Sequence, residues 1–534
     1  MSLSLVTQLT DADLRLLRRA VDGFVPDRVF DVHAHLFHTR HFARDKRPAF
    51  LDEDRGYGMQ EFQAAMNLWL PERKVDGLFF GFPSTGNDRA GENEWVRSHV
   101  EGASESRALV LTAPEDDRAE VRRLLSGGTF VGIKPYRMYA EVPDTREAEI
   151  ESFAPEWMWE ACHDHDGILM LHIMLAGGIT DERNIAAIRR LCRRYPCCRL
   201  VLAHVARSFN YRHAREGLRA IEDLENVVVD TSAVTQAGAF RAALEILGPR
   251  RVLWGSDYMV SELRGICVTQ GDGFTWIHPE LGVENLTVFG QYTTVGIESL
   301  LCLREACEDM GMNQGDVEDI FRNNALRLLG FQHTHASGPQ LWQRAKEQIS
   351  CGTGLLSKRA HVFDEATWPS YFSRAKGAHI WDLDGKRYLD FTGGVGAILL
   401  GHADDEVNAA VKRRVNLGSY CTLASPDEVT LAEELLALHP WAGKVRYARG
   451  GGEALGLAVR IARAATGRSG VAFCGYHGWN DWYLAANLAD DSALDGHLLP
   501  GLQPAGVPRE LAGTAVPFRF NDLASFQAAL QRLE

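Results

Sequence analysis

Val29-Phe30-Asp31-Val32-His33-Ala34-His35-Leu36 is an apolar, strand-forming run that ends in two histidines. Alternate side chains of a β-strand share a face, so His33 and His35 are expected to point the same way and to suit one divalent metal. A lone His-x-His pair says little. Later apolar runs of the same kind also end in metal-capable side chains: Gly167–His172, Leu200–His204 and Val252–Asp257.

Working outward, eight short β-rich runs follow a capped helical segment at residues 8–22. They are Arg28–His35, Gly77–Phe82, Ala108–Thr112, Phe130–Tyr136, Ile168–Ile173, Arg199–Val205, Asn226–Thr231 and Arg251–Asp257. Amphipathic stretches such as Asp117–Leu125, Pro155–His165, Asp181–Tyr195 and Ala237–Leu247 lie between them. Near-continuous apolar strands alternating with helices predict a parallel sheet, and eight such units predict a (β/α)₈ barrel. Barrel active sites collect at the C-terminal ends of the strands. His33, His35, Lys134, His172, His204 and Asp257 all end runs and converge on that rim. Any one histidine is an ordinary core or edge residue; the set is not explained by coincidence. Such a His/Asp group with an open position suits Zn²⁺, with Mn²⁺ or Fe²⁺ as alternatives. Asp257 could both ligate the metal and take a proton from water. Tyr136, Arg137, Arg207 and Tyr258 directly follow these positions, where they could meet an anionic substrate or form a solvated rim.

The chain has 534 residues, 46% hydrophobic and 24% charged, which predicts a globular protein of more than one domain. A net charge of −14 argues against a nucleic-acid partner. The apolar runs are strand-sized and Met1–Asp13 lacks a signal-peptide pattern, so a soluble cytoplasmic protein without a membrane segment is expected. The ten cysteines show no Cys-x-x-Cys spacing and read as reduced thiols.

These pieces resemble the amidohydrolase superfamily, in particular its amidohydrolase-related branch. They are Asp31-Val32-His33-Ala34-His35, Leu171-His172, Leu202-Ala203-His204 and Leu253-Trp254-Gly255-Ser256-Asp257, with the closing helix Ile320–Gly330. The resemblance implies His33, His35, His172 and Asp257 as ligands and His204 as a second-metal ligand or substrate-polarising group. Lys134 is the position that carries a carboxylated, metal-bridging lysine in binuclear members; a mononuclear site is expected here. That branch holds hydrolases of C–N and C–O bonds and also decarboxylases.

His333-Thr334-His335-Ala336-Ser337-Gly338-Pro339 reads as a domain boundary. The expected division is a barrel at residues 1–335, a linker helix at 336–350 and a second domain at 351–534. In the latter, Asp384-Gly385 between apolar residues signals a hairpin. Gly450-Gly451-Gly452-Glu453-Ala454 opens a helix, and a glycine loop at a helix N-terminus suits an anion. With Trp381-Asp382-Leu383-Asp384-Gly385, Gly401-His402-Ala403, Ala462–Arg468 and Tyr476-His477-Gly478-Trp479, the region resembles class III pyridoxal-phosphate aminotransferases of fold type I. The resemblance implies that Gly451 and Gly452 cradle the cofactor phosphate, that Tyr476 stacks on the pyridine ring and that His477 stands beside it.

That family's Schiff-base lysine lies well beyond Tyr476, and none of Lys346, Lys358, Lys376, Lys386, Lys412 or Lys444 has the required context. The expectation is a metal-dependent hydrolase of a small anionic amide, lactone or related compound, fused to a partial aminotransferase domain that does not transaminate by itself. That domain is expected to be part of a longer fusion, a relic or a dimerisation element, in a homodimer or higher oligomer. The rivals are a metal-dependent decarboxylase and a non-catalytic scaffold.

Overall fold

The computed structural model describes residues 9–47, 51, 54–278, 292–331, 338–497 and 501–534. The chain divides into two compact units, Met1–Asp404 and Asp405–Glu534. Of the sequence read as a boundary, His333–Ser337 lies outside the described residues.

The first unit is built on eight parallel strands in sequential order. They are β1 (Arg28–His35), β2 (Lys74–Phe80), β3 (Arg107–Thr112), β4 (Phe130–Pro135), β5 (Ile168–Leu171), β6 (Arg199–Leu202), β7 (Val227–Asp230) and β8 (Val252–Leu253). Backbone bonds Val32 N to Trp254 O, His35 N to Tyr258 O and Asp257 N to His33 O join the last strand's continuation to the first. The barrel's inner core is Phe30, Val32, Leu78, Phe80, Leu109, Ile168, Met170, Val201 and Leu253, with Ala325 and Leu326 of the closing helical segment packed against it. The outer core, between strands and helices, includes Val29, Ala34, Leu36, Ile133 and Trp159.

Strict alternation cannot place Phe30, Val32, His33 and His35 on one face. A register irregularity between Asp31 and Ala34, where β1 pairs with β2, adds one residue and shifts the parity. Val32 therefore belongs to the inner core, and the next two odd-numbered side chains, His33 and His35, also turn inward onto Phe80. A second irregularity lies where Ala108 and Val110 of β3 pair with Phe130 and Ile133 of β4. It brings Lys134 inside. Gly132 is required between them, since a Cβ there would meet the Ile168 carbonyl oxygen at 2.0 Å.

After β8, a two-stranded hairpin (Ile266–Gln270 with Gly273–Ile277) stands beside the barrel mouth, where its Phe274 and Trp276 contact Phe209. The helix over Gly338–Gln348 and a three-stranded antiparallel sheet, Phe372–Lys376, His379–Asp382 and Arg387–Leu389, complete the unit. The hairpin expected at Asp384-Gly385 is the turn of that sheet.

In the second unit a parallel pair, Val471–Phe473 with Ala515–Pro517, lies over a small core of Phe473, Trp482, Tyr483 and Leu494. Its helices include Asp405–Asn416, Pro426–Leu438 and Gly451–Thr466. Among the described residues no helix is long and apolar enough to cross a membrane.

Candidate metal centre

His33, His35 and Asp257 offer ligand atoms that all lie within 4.8 Å of one another. His33 Nε2 is 3.6 Å and His35 Nε2 3.5 Å from Asp257 Oδ1. The opposite ring nitrogens are engaged: His33 Nδ1 stands 2.9 Å from Asp230 Oδ2, and His35 Nδ1 3.1 Å from the Gly81 carbonyl oxygen. A carboxylate and a carbonyl are acceptors, so each Nδ1 carries the proton and each Nε2 presents a lone pair to the centre. This donor set fits a divalent metal.

Asp257 is brought here by its own backbone. It has φ 57°, and its N–H donates to His33 O at 2.8 Å. Asp31 anchors the same loop by accepting from Ser256 N (2.9 Å), Ser256 Oγ (2.5 Å) and His33 N (3.0 Å). Burial dominates Asp31 and raises it to about 7 despite those bonds. Asp257 is also penalised by burial, but the imidazoles of His35, His33 and His204 around it hold it well below the usual carboxylate range. It is an anion at neutral pH. Burial and the Lys134 charge bring His33 down to about 4 against the pull of Asp230, so it is the neutral imidazole a metal needs.

His172 and His204 form a second pair, with ring centroids 4.8 Å apart, and His204 is 5.1 Å from His33. His172 stands outside the three-residue group. Its Nδ1 is buried without a hydrogen-bond partner among the described residues, and burial with the charges of its neighbours lowers it well below the usual histidine value. Lys134 is fully buried; its Nζ has no hydrogen-bond partner among those residues and lies 5.1 Å from the Phe80 ring and 5.4 Å from that of Tyr136. Burial lowers it to about 8, partly offset by Asp230 and Asp257.

The segment after β6 is unusual. His204, Val205, Ala206 and Arg207 all have positive φ (58°, 51°, 56° and 58°), which makes a left-handed turn without a glycine. Such a conformation costs roughly 1–2 kcal/mol per residue and is found where function demands it. Arg207, one turn after His204, donates to Leu175 O at 2.6 Å. Burial and the nearby Arg137 lower its pKa. Arg137 itself donates to Thr145 Oγ1 at 2.7 Å. The two guanidiniums thus share one neighbourhood with Lys134 and His172. Tyr258 does not join them: it packs in the outer core against Phe62.

Asp230 and Ser232 are the residues that the reading of strand ends passed over. Asp230 ends the seventh run as the others end theirs, so the same rule finds it.

In the second unit, Gly450 precedes the helix Gly451–Thr466, and Glu453 Oε2 accepts from Arg449 N at 2.9 Å, beside the same helix start. Asn480 Nδ2 donates to Gly452 O, and Gly452 approaches Gly478 so closely that a Cβ on Gly478 would meet Gly452 Cα at 2.9 Å. Tyr476 is half-buried beside Trp479 and Tyr483, and His477 Nε2 donates to Cys474 O at 2.7 Å. The two lysines of this unit, Lys412 and Lys444, are exposed, so neither is the desolvated amine that Schiff-base chemistry calls for. What this unit presents toward pyridoxal phosphate is a glycine loop and an aromatic ring.

Comparison with known proteins agrees with both halves. An amidohydrolase family model matches residues 30–331, more than half of the chain. The chain belongs to the amidohydrolase family. A class III aminotransferase model matches residues 363–508, so the amidohydrolase barrel is fused to an aminotransferase domain. The latter is 34% identical over 192 residues to a 2'-deamino-2'-hydroxyneamine transaminase of Streptomyces kanamyceticus, covering 36% of this chain and 44% of that protein. The chain thus spans under half the length of the curated relatives it matches. Among solved structures, an omega-transaminase from Sphaerobacter thermophilus is 29% identical over 38% of this chain and 45% of its own, with a TM-score of 0.32. An amidohydrolase from Burkholderia multivorans is 14% identical over 57% of this chain and 99% of its own, with a TM-score of 0.39.

Proposed function

We propose that the barrel is a metal-dependent hydrolase of a small anionic amide, lactone or related compound. The observation that carries this reading is the trio His33, His35 and Asp257, with both imidazole Nε2 atoms facing one carboxylate oxygen and both Nδ1 atoms held from behind. A divalent ion there, zinc being the best match to two imidazoles and a carboxylate, would supply Lewis acidity and acidify a water at neutral pH. Asp257, anionic and at the centre, takes the water's proton. His172 and His204 line the substrate side, where the His172 imidazole can donate to a developing oxyanion and His204 offers a lone pair to a substrate donor or a second ion. Lys134, Arg137 and Arg207 supply positive charge for a substrate carboxylate. In this mononuclear reading Lys134 remains an amine; a carboxylated Lys134 would bridge a second ion held by His172 and His204.

The aminotransferase-like part is proposed to use pyridoxal phosphate only where a Schiff-base lysine is supplied from outside the residues present here. Its presence on the same chain as the barrel motivates consecutive steps on one compound, a reading that unrelated substrates for the two halves would remove.

The test is a screen of small anionic lactones, esters and amides with zinc- or manganese-loaded protein, with Asp257→Asn as control. Metal-dependent release of acid that the variant lacks is expected. Release of CO₂ instead would replace the hydrolase with a decarboxylase on the same barrel.

A further inference from the structure

Behind the metal trio lies a buried polar cluster. Asp230, at the end of β7, is fully buried, as is Ser232 two residues on. Four donors converge on the Asp230 carboxylate. His33 Nδ1 reaches Oδ2 at 2.9 Å; Oδ1 accepts from His204 N (2.9 Å), Ser232 N (3.1 Å) and Ser232 Oγ (2.5 Å). The Ser232 hydroxyl lies 3.1 Å from His33 Nδ1 and 3.0 Å from His204 Nδ1, and the Ser232 carbonyl oxygen is 2.8 Å from His204 Nδ1.

The supply of protons fixes the tautomers. A serine hydroxyl has one proton, and here it goes to Asp230. Toward both imidazoles Ser232 Oγ can therefore only accept, and its carbonyl also only accepts. Both Nδ1 atoms must carry hydrogen, which leaves both Nε2 atoms with free lone pairs on the open side. One hydroxyl and one carboxylate thus set the chemical form of two histidines from two different places, β1 and the turn after β6.

We propose that Asp230 and Ser232 are the positioning residues of the site: together they lock His33 and His204 as Nδ1–H tautomers and tie both to one divalent-cation equilibrium. The inference rests on the proposed metal site, but its tautomer half stands on hydrogen-bond geometry alone. The variant Asp230→Asn makes a sharp prediction. Three donors converge on the Oδ1 position, so the carbonyl of the introduced carboxamide settles there and its NH₂ faces His33 Nδ1. His33 must then accept at Nδ1 and carry its proton on Nε2, where it can no longer bind metal.

The experiment uses the full chain with ¹⁵N-labelled histidine. Ring nitrogen shifts of metal-free protein report the tautomers directly, and chelator competition with zinc gives affinity. In the wild type, His33 and His204 are expected as Nδ1–H forms. Asp230→Asn is expected to convert His33 to the Nε2–H form and to weaken zinc roughly 10- to 100-fold, the range seen when such outer partners of ligating histidines are lost. Ser232→Ala, the gentler change should Asp230→Asn fail to fold, is expected to weaken zinc less and to leave His33 in the Nδ1–H form, because Asp230 Oδ2 still accepts from it. Wild-type His33 in the Nε2–H form, or variants that keep both tautomer and affinity, would overturn the proposal. Wild-type protein that shows the expected tautomers but binds no zinc would instead sink the metal reading and, with it, the cation-coupling half of this one.

Discussion

The two units treat the same kind of amphipathic sequence in opposite ways. In the barrel, seven of the eight residues of β1 are buried, and Trp159 on a flanking helix is fully enclosed. In the second unit, the helices Asp405–Asn416, Pro426–Leu438 and Gly451–Thr466 bury no residue at all, and Tyr420, Leu438 and Trp441 are 95%, 74% and 84% exposed. The lesson is about self-sufficiency. The barrel covers its own apolar surface and can therefore hold charged groups such as Lys134 and Asp230 in fixed positions, away from water. In the described part of the second unit the helix that the glycine loop opens lays Leu455 and Val459 against the small core of Phe473, Trp482 and Tyr483 and leaves most of its other residues in solvent.

The largest expected effect lies at the barrel mouth. Asp257→Asn keeps the shape and removes the proton acceptor, so turnover of whichever compound the screen identifies should fall roughly 10²- to 10⁴-fold. Retained turnover would move the base elsewhere.

Paired tryptophans put the comparison on a stability scale. Trp159→Ala should lower unfolding free energy by about 3–5 kcal/mol, as buried large-to-small changes do. Trp441→Ala should stay within about 0.5 kcal/mol, as expected for an exposed position. Denaturant titrations followed by circular dichroism distinguish the two, and equal costs would erase the contrast between the units.

Glu92, on the helix Arg89–Val100, is fully buried 3.3 Å from His41, and among the described residues neither of its oxygens has a well-aligned hydrogen bond. Burial raises it from 4.5 to about 7 against the pull of His41. A carboxyl whose folded pKa is raised binds more protons folded than unfolded between those two values, so the barrel loses stability as pH rises from 4.5 to 7. Glu92→Gln removes that penalty. The variant should gain on the order of 3 kcal/mol over wild type above about pH 7 and nothing below about pH 4.5. A gain independent of pH would contradict the assignment.

The smallest effect has an unusual sign. Ala→Gly in a right-handed helix costs about 1 kcal/mol. Ala206 has φ 56°, where glycine is free of strain, so Ala206→Gly should be neutral or stabilise by up to about 1 kcal/mol. Thermal melts would show it; a clear loss would mean that the left-handed turn is not what holds His204 and Arg207.

Much of this was legible in the residues. The order of the eight strands and the convergence of His33, His35 and Asp257 follow from apolar runs that end in polar residues. What periodicity cannot reveal is where a strand takes in an extra residue. The irregularities in β1 and β4 decide that His33 and Lys134 face inward, and both depend on pairing with a neighbour rather than on local preference. The eighth run, read as Arg251–Asp257, forms a strand only at Val252–Leu253, because Trp254–Asp257 turn aside to bond β1 and the closing segment. The left-handed turn was illegible for a plainer reason: Val205 is a β-branched residue, among the last that backbone preference would place at positive φ. Asp230 is legible as a polar strand end, but nothing in the sequence separates a carboxylate that ligates from one that orients a ligand, as Asp230 does His33.

The central claim is that the barrel mouth is a metal site organised by His33, His35 and Asp257. Its most direct test is the metal content of the purified full chain by elemental mass spectrometry, with His33→Ala alongside. The account predicts about one equivalent of zinc or manganese per chain in the wild type, lost in the variant. Wild-type protein that takes up no metal after reconstitution, or a variant that keeps it, would contradict the account.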